Sequence, residues 1–237
     1  MNWRWNGAAL LLTMAVALFA VIPGCGSGEP VAANIATDDA GNRSADSTNV
    51  SSGDGGAIST SVRSEAELHP LALIETSEGD ITVRLDMEKT PRTVENFLET
   101  YADRKHYDQT IFHYVEKGVM ILGGGFTSDL ELKETRAEIR NEAHSGLKNR
   151  RGTIAMARDP EYVHSGTCQF FFNLADNSSL DHKSRDNAEE YGYCVFGEVV
   201  EGMDVLGRIA KVEVRDTDEF PKLPVKSVVI QSIRRSK

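Results

Sequence analysis

Leu71-Ala72-Leu73-Ile74-Glu75-Thr76-Ser77-Glu78-Gly79-Asp80-Ile81-Thr82-Val83-Arg84-Leu85 is the stretch that decides the fold. Its two ends are short runs rich in β-branched and apolar residues. Ser77-Glu78-Gly79 between them is turn chemistry, so the stretch reads as two paired strands. Similar short runs recur at Thr110–Val115, Val119–Leu122, Gly152–Ala157, Gln169–Asn173, Cys194–Val199 and Val225–Ile233. Two helices interrupt them. Thr90-Pro91 opens the first, with a hydroxyl for the cap and proline in the first turn. Val94, Phe97, Leu98 and Tyr101 then recur at 3–4-residue spacing and form one apolar face. The second helix spans about Met203–Ile209. Many short strands, two helices and no βαβ alternation predict a mainly β protein, a closed antiparallel barrel.

Upstream the chain changes character twice. Arg4 and the α-amino group precede an uncharged run from Ala8 to Ile22, 15 residues long, whereas a membrane-spanning helix needs about 20. A positive start, a short apolar run and small residues before a cut site predict a secretory signal peptide over residues 1–25. Ile22-Pro23-Gly24-Cys25 resembles a bacterial lipobox, whose cysteine is lipid-modified and becomes the new N-terminus; Pro23 departs from the small residue usual at its position. An ordinary signal peptide and an uncleaved anchor are the alternatives. Of the 44 residues 26–69, 31 are Gly, Ser, Ala, Thr, Asp or Asn and none is aromatic. Such a composition buries too little apolar surface to offset its ordering entropy, so a flexible tether is expected before a domain at 70–237. The expectation is an exported monomer in the periplasm or cell envelope, held to a membrane only through a lipidated Cys25.

The net charge of −10 leaves no basic surplus to neutralise phosphates, which argues against a nucleic-acid partner. There is no CxxC pair, so zinc-ribbon and thioredoxin readings lack their ligands. Cys168 and Cys194 are read as two buried free thiols, with a disulfide as the alternative. The six histidines include no pair at helical ligand spacing with a third partner nearby, so no metal is expected, and His113 is read as a structural strand residue. Gly123-Gly124-Gly125 lacks a following Lys-Ser/Thr and suits a bend where backbone runs close to backbone.

An ordered series of motifs carries the functional reading. It runs Thr90-Pro91 with Val94-Glu95-Asn96-Phe97, Thr110-Ile111-Phe112-His113, Gly123-Gly124-Gly125-Phe126, Asn141-Glu142-Ala143 and Gly146-Leu147-Lys148-Asn149. Arg151-Gly152-Thr153-Ile154-Ala155-Met156-Ala157, Gln169-Phe170-Phe171 and Tyr193-Cys194-Val195-Phe196-Gly197 complete it. In this order and spacing the series resembles the cyclophilin family of peptidyl-prolyl isomerases, most closely its bacterial type, from Leu71 nearly to the C-terminus. The resemblance implies an eight-stranded antiparallel barrel capped by two α-helices. It also implies a proline-containing polypeptide segment as the ligand.

The chemistry is conformational. An X–Pro bond prefers trans by only about 0.5–1 kcal/mol, yet rotation crosses a barrier of about 18–20 kcal/mol set by amide resonance. A catalyst needs an apolar pocket for the prolyl ring and a fixed donor that favours the twisted amide. No nucleophile, metal or cofactor is required. As the resemblance implies, Met120, Phe171 and Leu180 fall on pocket positions and Gln169 on the glutamine that orients the catalytic donor. Ala155, Met156 and Ala157 fall on the edge that grips the substrate backbone. Other positions depart from the family pattern. Tyr114 stands where the catalytic arginine is expected, Val119 replaces the first pocket phenylalanine, and Leu122 replaces a second glutamine. Ser179 stands at a usually aromatic position, and Tyr193 at one that is histidine in many members. The departures cluster on the site while the scaffold motifs survive. Tyrosine keeps one hydroxyl donor but loses the charge and fork of guanidinium, so weakened turnover is expected, with a non-catalytic proline-peptide-binding module as the alternative.

Overall fold

The computed structural model describes residues 64–236; the expectations for the signal peptide, Cys25 and most of the tether fall outside them. Eight strands form the barrel: β1 (Leu71–Thr76), β2 (Gly79–Leu85), β3 (Thr110–Glu116), β4 (Met120–Thr127), β5 (Thr153–Met156), β6 (Phe170–Asn173), β7 (Val195–Glu201) and β10 (Val228–Arg235). Their spatial order is β1-β10-β3-β4-β6-β5-β7-β2, closed on itself, and every neighbouring pair is antiparallel. Closure leaves no sheet edge. A two-stranded ribbon, β8 (Val214–Arg215) with β9 (Leu223–Pro224), lies outside this order.

Alternation along each strand sends residues to opposite faces. Ile121, Ile154, Met156, Phe170, Phe172 and Phe196 are buried in the main core with Phe97, Leu98 and Tyr101 from the first helix. Phe170 sits at the centre of this packing, with Phe97 and Tyr107 edge-on at 5.4 and 5.5 Å between ring centroids. Gly124 makes room for it: its φ is +90°, and a Cβ there would lie 2.9 Å from the Phe170 ring and 3.0 Å from that of Tyr107. The glycine run is therefore a bend at close approach, as its composition suggests.

Among the described residues four short α-helices accompany the barrel, two more than expected: α1 (Glu65–Leu68), α2 (Pro91–Glu95), which widens into π turns over Asn96–Ala102, α3 (Ala188–Tyr191) and α4 (Met203–Ile209). Two further details differ from expectation. Order begins before Pro70, because Ser64 and Glu67 form a reciprocal capping box on α1, and Leu68 accepts the Met87 amide at 2.9 Å. The Thr90 hydroxyl does not cap α2; it donates to the Asp86 carbonyl at 2.8 Å. The first turn is served instead by Glu142, which accepts the Thr93 amide at 2.9 Å and the Thr93 hydroxyl at 2.8 Å. A carboxylate at a helix N-terminus also meets the positive end of the helix dipole. Cys168 and Cys194 are free and buried. Burial pushes the Cys168 thiol up to about 11 and that of Cys194 to about 12, so both stay protonated.

Candidate functional site

Opposite the core, the same strands carry a second apolar cluster. Leu122, Ala155, Phe171 and Val195 are buried in it, and Tyr114, Met120, Leu147, Ala157, Leu180 and Tyr193 pack against them half-exposed. The register builds this patch. Leu122 pairs with Tyr114 on one side and Phe171 on the other, and Phe171 pairs with Ala155. Phe171 is only 2 % exposed and forms the floor, and the half-exposed side chains form its rim.

Tyr114 reaches the patch through an irregularity. Phe112 pairs with Gly123 and Tyr114 with Leu122, so β3 spends two residues where β4 spends one. Phe112 faces the core, and regular alternation would send Tyr114 the same way; the bulge turns it outward. Once there, its hydroxyl donates to a Glu116 carboxylate oxygen at 2.8 Å. Burial, the bond to Glu116 and the charges of Glu116 and Asp216 hold the phenol far above its usual pKa. The side chain at the expected arginine position is thus neutral, with its one donor already engaged.

The far wall comes from the segment between β6 and β7. Tyr193 lies with its ring edge-on to Phe171, centroids 5.8 Å apart, and its amide donates to the Leu180 carbonyl at 2.9 Å. Gly192 before it has φ +73°, and a Cβ there would come within 2.7 Å of the Leu180 carbonyl oxygen. Asn149 brackets the wall from one side, its Nδ2 donating to the carbonyls of Leu180 and Tyr193 at 3.1 and 3.4 Å. Arg158 brackets it from the other. Its guanidinium donates to the carbonyls of Gly192 (3.0 Å), Asp159 (2.7 Å), Pro160 (3.0 Å) and Ala188, and lies 4.6 Å from the Tyr193 ring centroid.

Of the residues expected at the site, Tyr114, Met120, Leu122, Ala155, Ala157, Phe171, Leu180 and Tyr193 are brought together. Three are not. Met156 points into the core, as strand alternation requires of a neighbour of outward-facing Ala155. Val119 sits in the turn before β4, where its carbonyl accepts from Leu174 and Asn177. Gln169 lies against Gly125, where a Cβ would meet its Cγ at 2.7 Å, and no hydrogen bond joins it to Tyr114 among the described residues. The expected docking edge at Ala155–Ala157 is also corrected. β5 is paired on both sides, the Met156 amide donates to the Cys194 carbonyl, and the Ala157 amide donates to the Gln169 carbonyl. Sequence reading missed Glu116, Leu147, Asn149 and Arg158. Leu147 and Asn149 sat inside a motif read as scaffold, and Arg158 directly follows another.

A cavity of about 360 Å³ is a different feature. It is a groove beside the β3–β4 turn lined by Lys117, Lys211 and Lys222, and it shares only Glu116 and Val115 with the neighbourhood of Tyr114. The prolyl chemistry needs an apolar floor, which the patch has in Phe171; the groove mixes Val115, Ala210, Val212 and Val214 with three lysines and Glu116.

A closed eight-stranded antiparallel barrel bearing an apolar patch on its outer wall is an architecture with known counterparts. Residues 71–235 match the family described as "Cyclophilin type peptidyl-prolyl cis-trans isomerase/CLD". The chain is 46 % identical over 162 residues to "Peptidyl-prolyl cis-trans isomerase A" of Dickeya dadantii, covering 68 % of this chain and 82 % of that one. It is 44 % identical over 163 residues to "Peptidyl-prolyl cis-trans isomerase B" of Escherichia coli, covering 69 % and 98 % respectively. A cyclophilin-type isomerase of Cryptosporidium parvum, crystallised in the presence of the dipeptide Ala-Pro, shares the fold with a TM-score of 0.57 at 23 % identity, covering 70 % of this chain and 99 % of its own. The chain belongs to the cyclophilin-type peptidyl-prolyl cis-trans isomerase family.

Proposed function

We propose that this protein isomerises X–Pro bonds in extended segments of exported polypeptides, at a rate held down by the chemistry at Tyr114. The observation that carries the reading is the outer patch, an apolar floor at Phe171 rimmed by Met120, Leu122, Leu180 and Tyr193. A prolyl ring has no amide hydrogen and only apolar edges, so such a floor takes it without stranding a donor. Exchange of an arginine for a tyrosine whose hydroxyl already serves Glu116 removes a charged donor from the rim. By analogy with oxyanion-hole donors the loss is about 10²–10³ in rate.

The Tyr114–Glu116 bond also favours a second reading, a binding module that holds proline-containing segments without turning them over. A protease-coupled assay on an X–Pro peptide, run with the full chain, separates the two. Measurable wild-type turnover supports the isomerase, and peptide binding without turnover supports the module. Absence of both removes both readings. The site of action proposed is the cell envelope, with a monomer tethered through a lipidated Cys25. Mass spectrometry of the mature N-terminus tests that, a diacylated cysteine being the expected species and an unmodified cut the contrary one.

A further inference from the structure

Two tyrosines reach the patch, and they differ in what their hydroxyls do. The Tyr114 hydroxyl is spent on Glu116 at 2.8 Å. The Tyr193 hydroxyl makes no hydrogen bond among the described residues, although its ring is fixed from three directions. Phe171 meets it edge-on, Arg158 lies over its face, and the backbone on either side is held by Leu180, Asn149 and Arg158. A fixed ring with a free hydroxyl is a preorganised donor. Arg158 itself is not available for that work. Four of its hydrogen bonds go to backbone carbonyls, and no carboxylate forms an ion pair with it among the described residues. What it contributes to Tyr193 is orientation and a positive charge beside the ring, opposed in part by the charge of Asp159.

We propose that the Tyr193 hydroxyl, positioned and polarised by Arg158, is the donor that this patch offers the twisting amide, a proposal that rests on the isomerase reading above. No covalent bond forms or breaks in the step. As the X–Pro bond leaves planarity, resonance is lost and the prolyl nitrogen recovers a lone pair, which accepts the hydroxyl hydrogen in the twisted state and not in the planar one. A donor engaged only there lowers the barrier without tightening ground-state binding. A cation over the ring face favours the phenolate and so makes the hydroxyl a stronger donor. In the protein this influence works against burial and the charge of Asp159, both of which raise the Tyr193 phenol while Arg158 lowers it. Tyr193 is then a catalytic residue and Arg158 a positioning residue.

The test uses the full chain, with folding of each variant checked by its thermal melt. Tyr193→Phe keeps the ring and removes only the donor. It is expected to lower kcat/KM about tenfold with KM little changed, and Tyr114→Phe to lose less than Tyr193→Phe. Arg158→Met removes the charge at similar length. It should lower kcat and, in NMR of ring-labelled tyrosine, move the Tyr193 ionisation to higher pH. Arg158→Lys should restore part of the ionisation shift but little of the rate, because an ammonium cannot hold four carbonyls in one plane. Wild-type turnover that survives Tyr193→Phe unchanged overturns the donor assignment and leaves the isomerase reading standing. A Tyr193 ionisation that Arg158→Met does not move overturns the polarising role. No wild-type turnover at all overturns both this proposal and the reading beneath it.

Discussion

The two faces of β3, β4, β5 and β6 obey different rules although they share one backbone. Inside, Phe170, Phe172, Ile121 and Ile154 are fully buried and packed aromatic on aromatic. Outside, Tyr114, Met120, Leu180 and Tyr193 are half-exposed and held largely by polar brackets from Glu116, Asn149 and Arg158. The interior tolerates no change of volume because no solvent can fill a void. The exterior tolerates exchange of residue type, because water and a ligand can take up the difference. This is why the unusual residues of the chain lie outside and the expected ones inside.

The contrast breaks first at Phe170. Phe170→Ala should destabilise the protein by about 3–5 kcal/mol, read as a fall in urea midpoint at constant m-value. A loss below about 1 kcal/mol would mean that the core is not organised around this ring. The next largest effect is on rate. Tyr114→Arg restores a charged donor, but Glu116 stands within reach to pair with it, so the full gain of about 10²–10³ in kcat/KM is expected only with Glu116→Gln alongside. Equal rates for the single and double variants would show that Glu116 does not sequester the group at 114.

His113 sharpens the comparison through pH. Its Nδ1 is buried without a hydrogen-bond partner among the described residues, its ring lies edge-on to Phe126 and Phe220, and burial, against a backbone contribution from Ile111, pulls its pKa down to about 4. The unfolded imidazole titrates near 6.5. The folded state therefore disfavours protonation. Its stability is complete above pH 6.5, is lost as pH falls from 6.5 towards 4, and changes no further for this group below that. The loss is about 3 kcal/mol. Urea melts at pH 7 and pH 4.5 read this loss together with that of His106, which burial also pulls down to about 4, and His113→Leu should remove only its own share of the difference. The smallest effect is expected at Phe171. Phe171→Ala should cost about 2 kcal/mol, the transfer contribution alone, because the void opens to solvent. Peptide affinity should fall while Phe170→Ala, under conditions where it still folds, keeps more of it.

The barrel was legible in the sequence because its strands are short, evenly punctuated and joined without βαβ alternation. Strand bounds shifted by only a few residues, as at β10, where pairing begins at Val228 and not Val225. The patch was legible in part. Met120, Phe171 and Leu180 announce themselves by residue type, but Met156 was misplaced because a run of consecutive small and apolar residues conceals which member faces in. Val119 was misplaced because a turn sets its direction. The polar brackets could not be read at all. Arg158 meets Ala188 and Gly192 across about thirty residues of chain, a closure that no local pattern encodes.

The extra residue in β3 has a consequence for how this protein can change. By inserting His113 between Phe112 and Tyr114 without a partner on β4, the strand resets its parity in mid-course. Position 114 is thereby uncoupled from the packing that dictates 112, and natural variation can rewrite the reactive rim while the scaffold stays fixed. A residue added to β4 between Leu122 and Gly123, giving His113 a partner, would return the two positions to one side of the sheet, forcing a hydroxyl into hydrocarbon. The kink works as a hinge between what the fold must conserve and what the chemistry is free to revise.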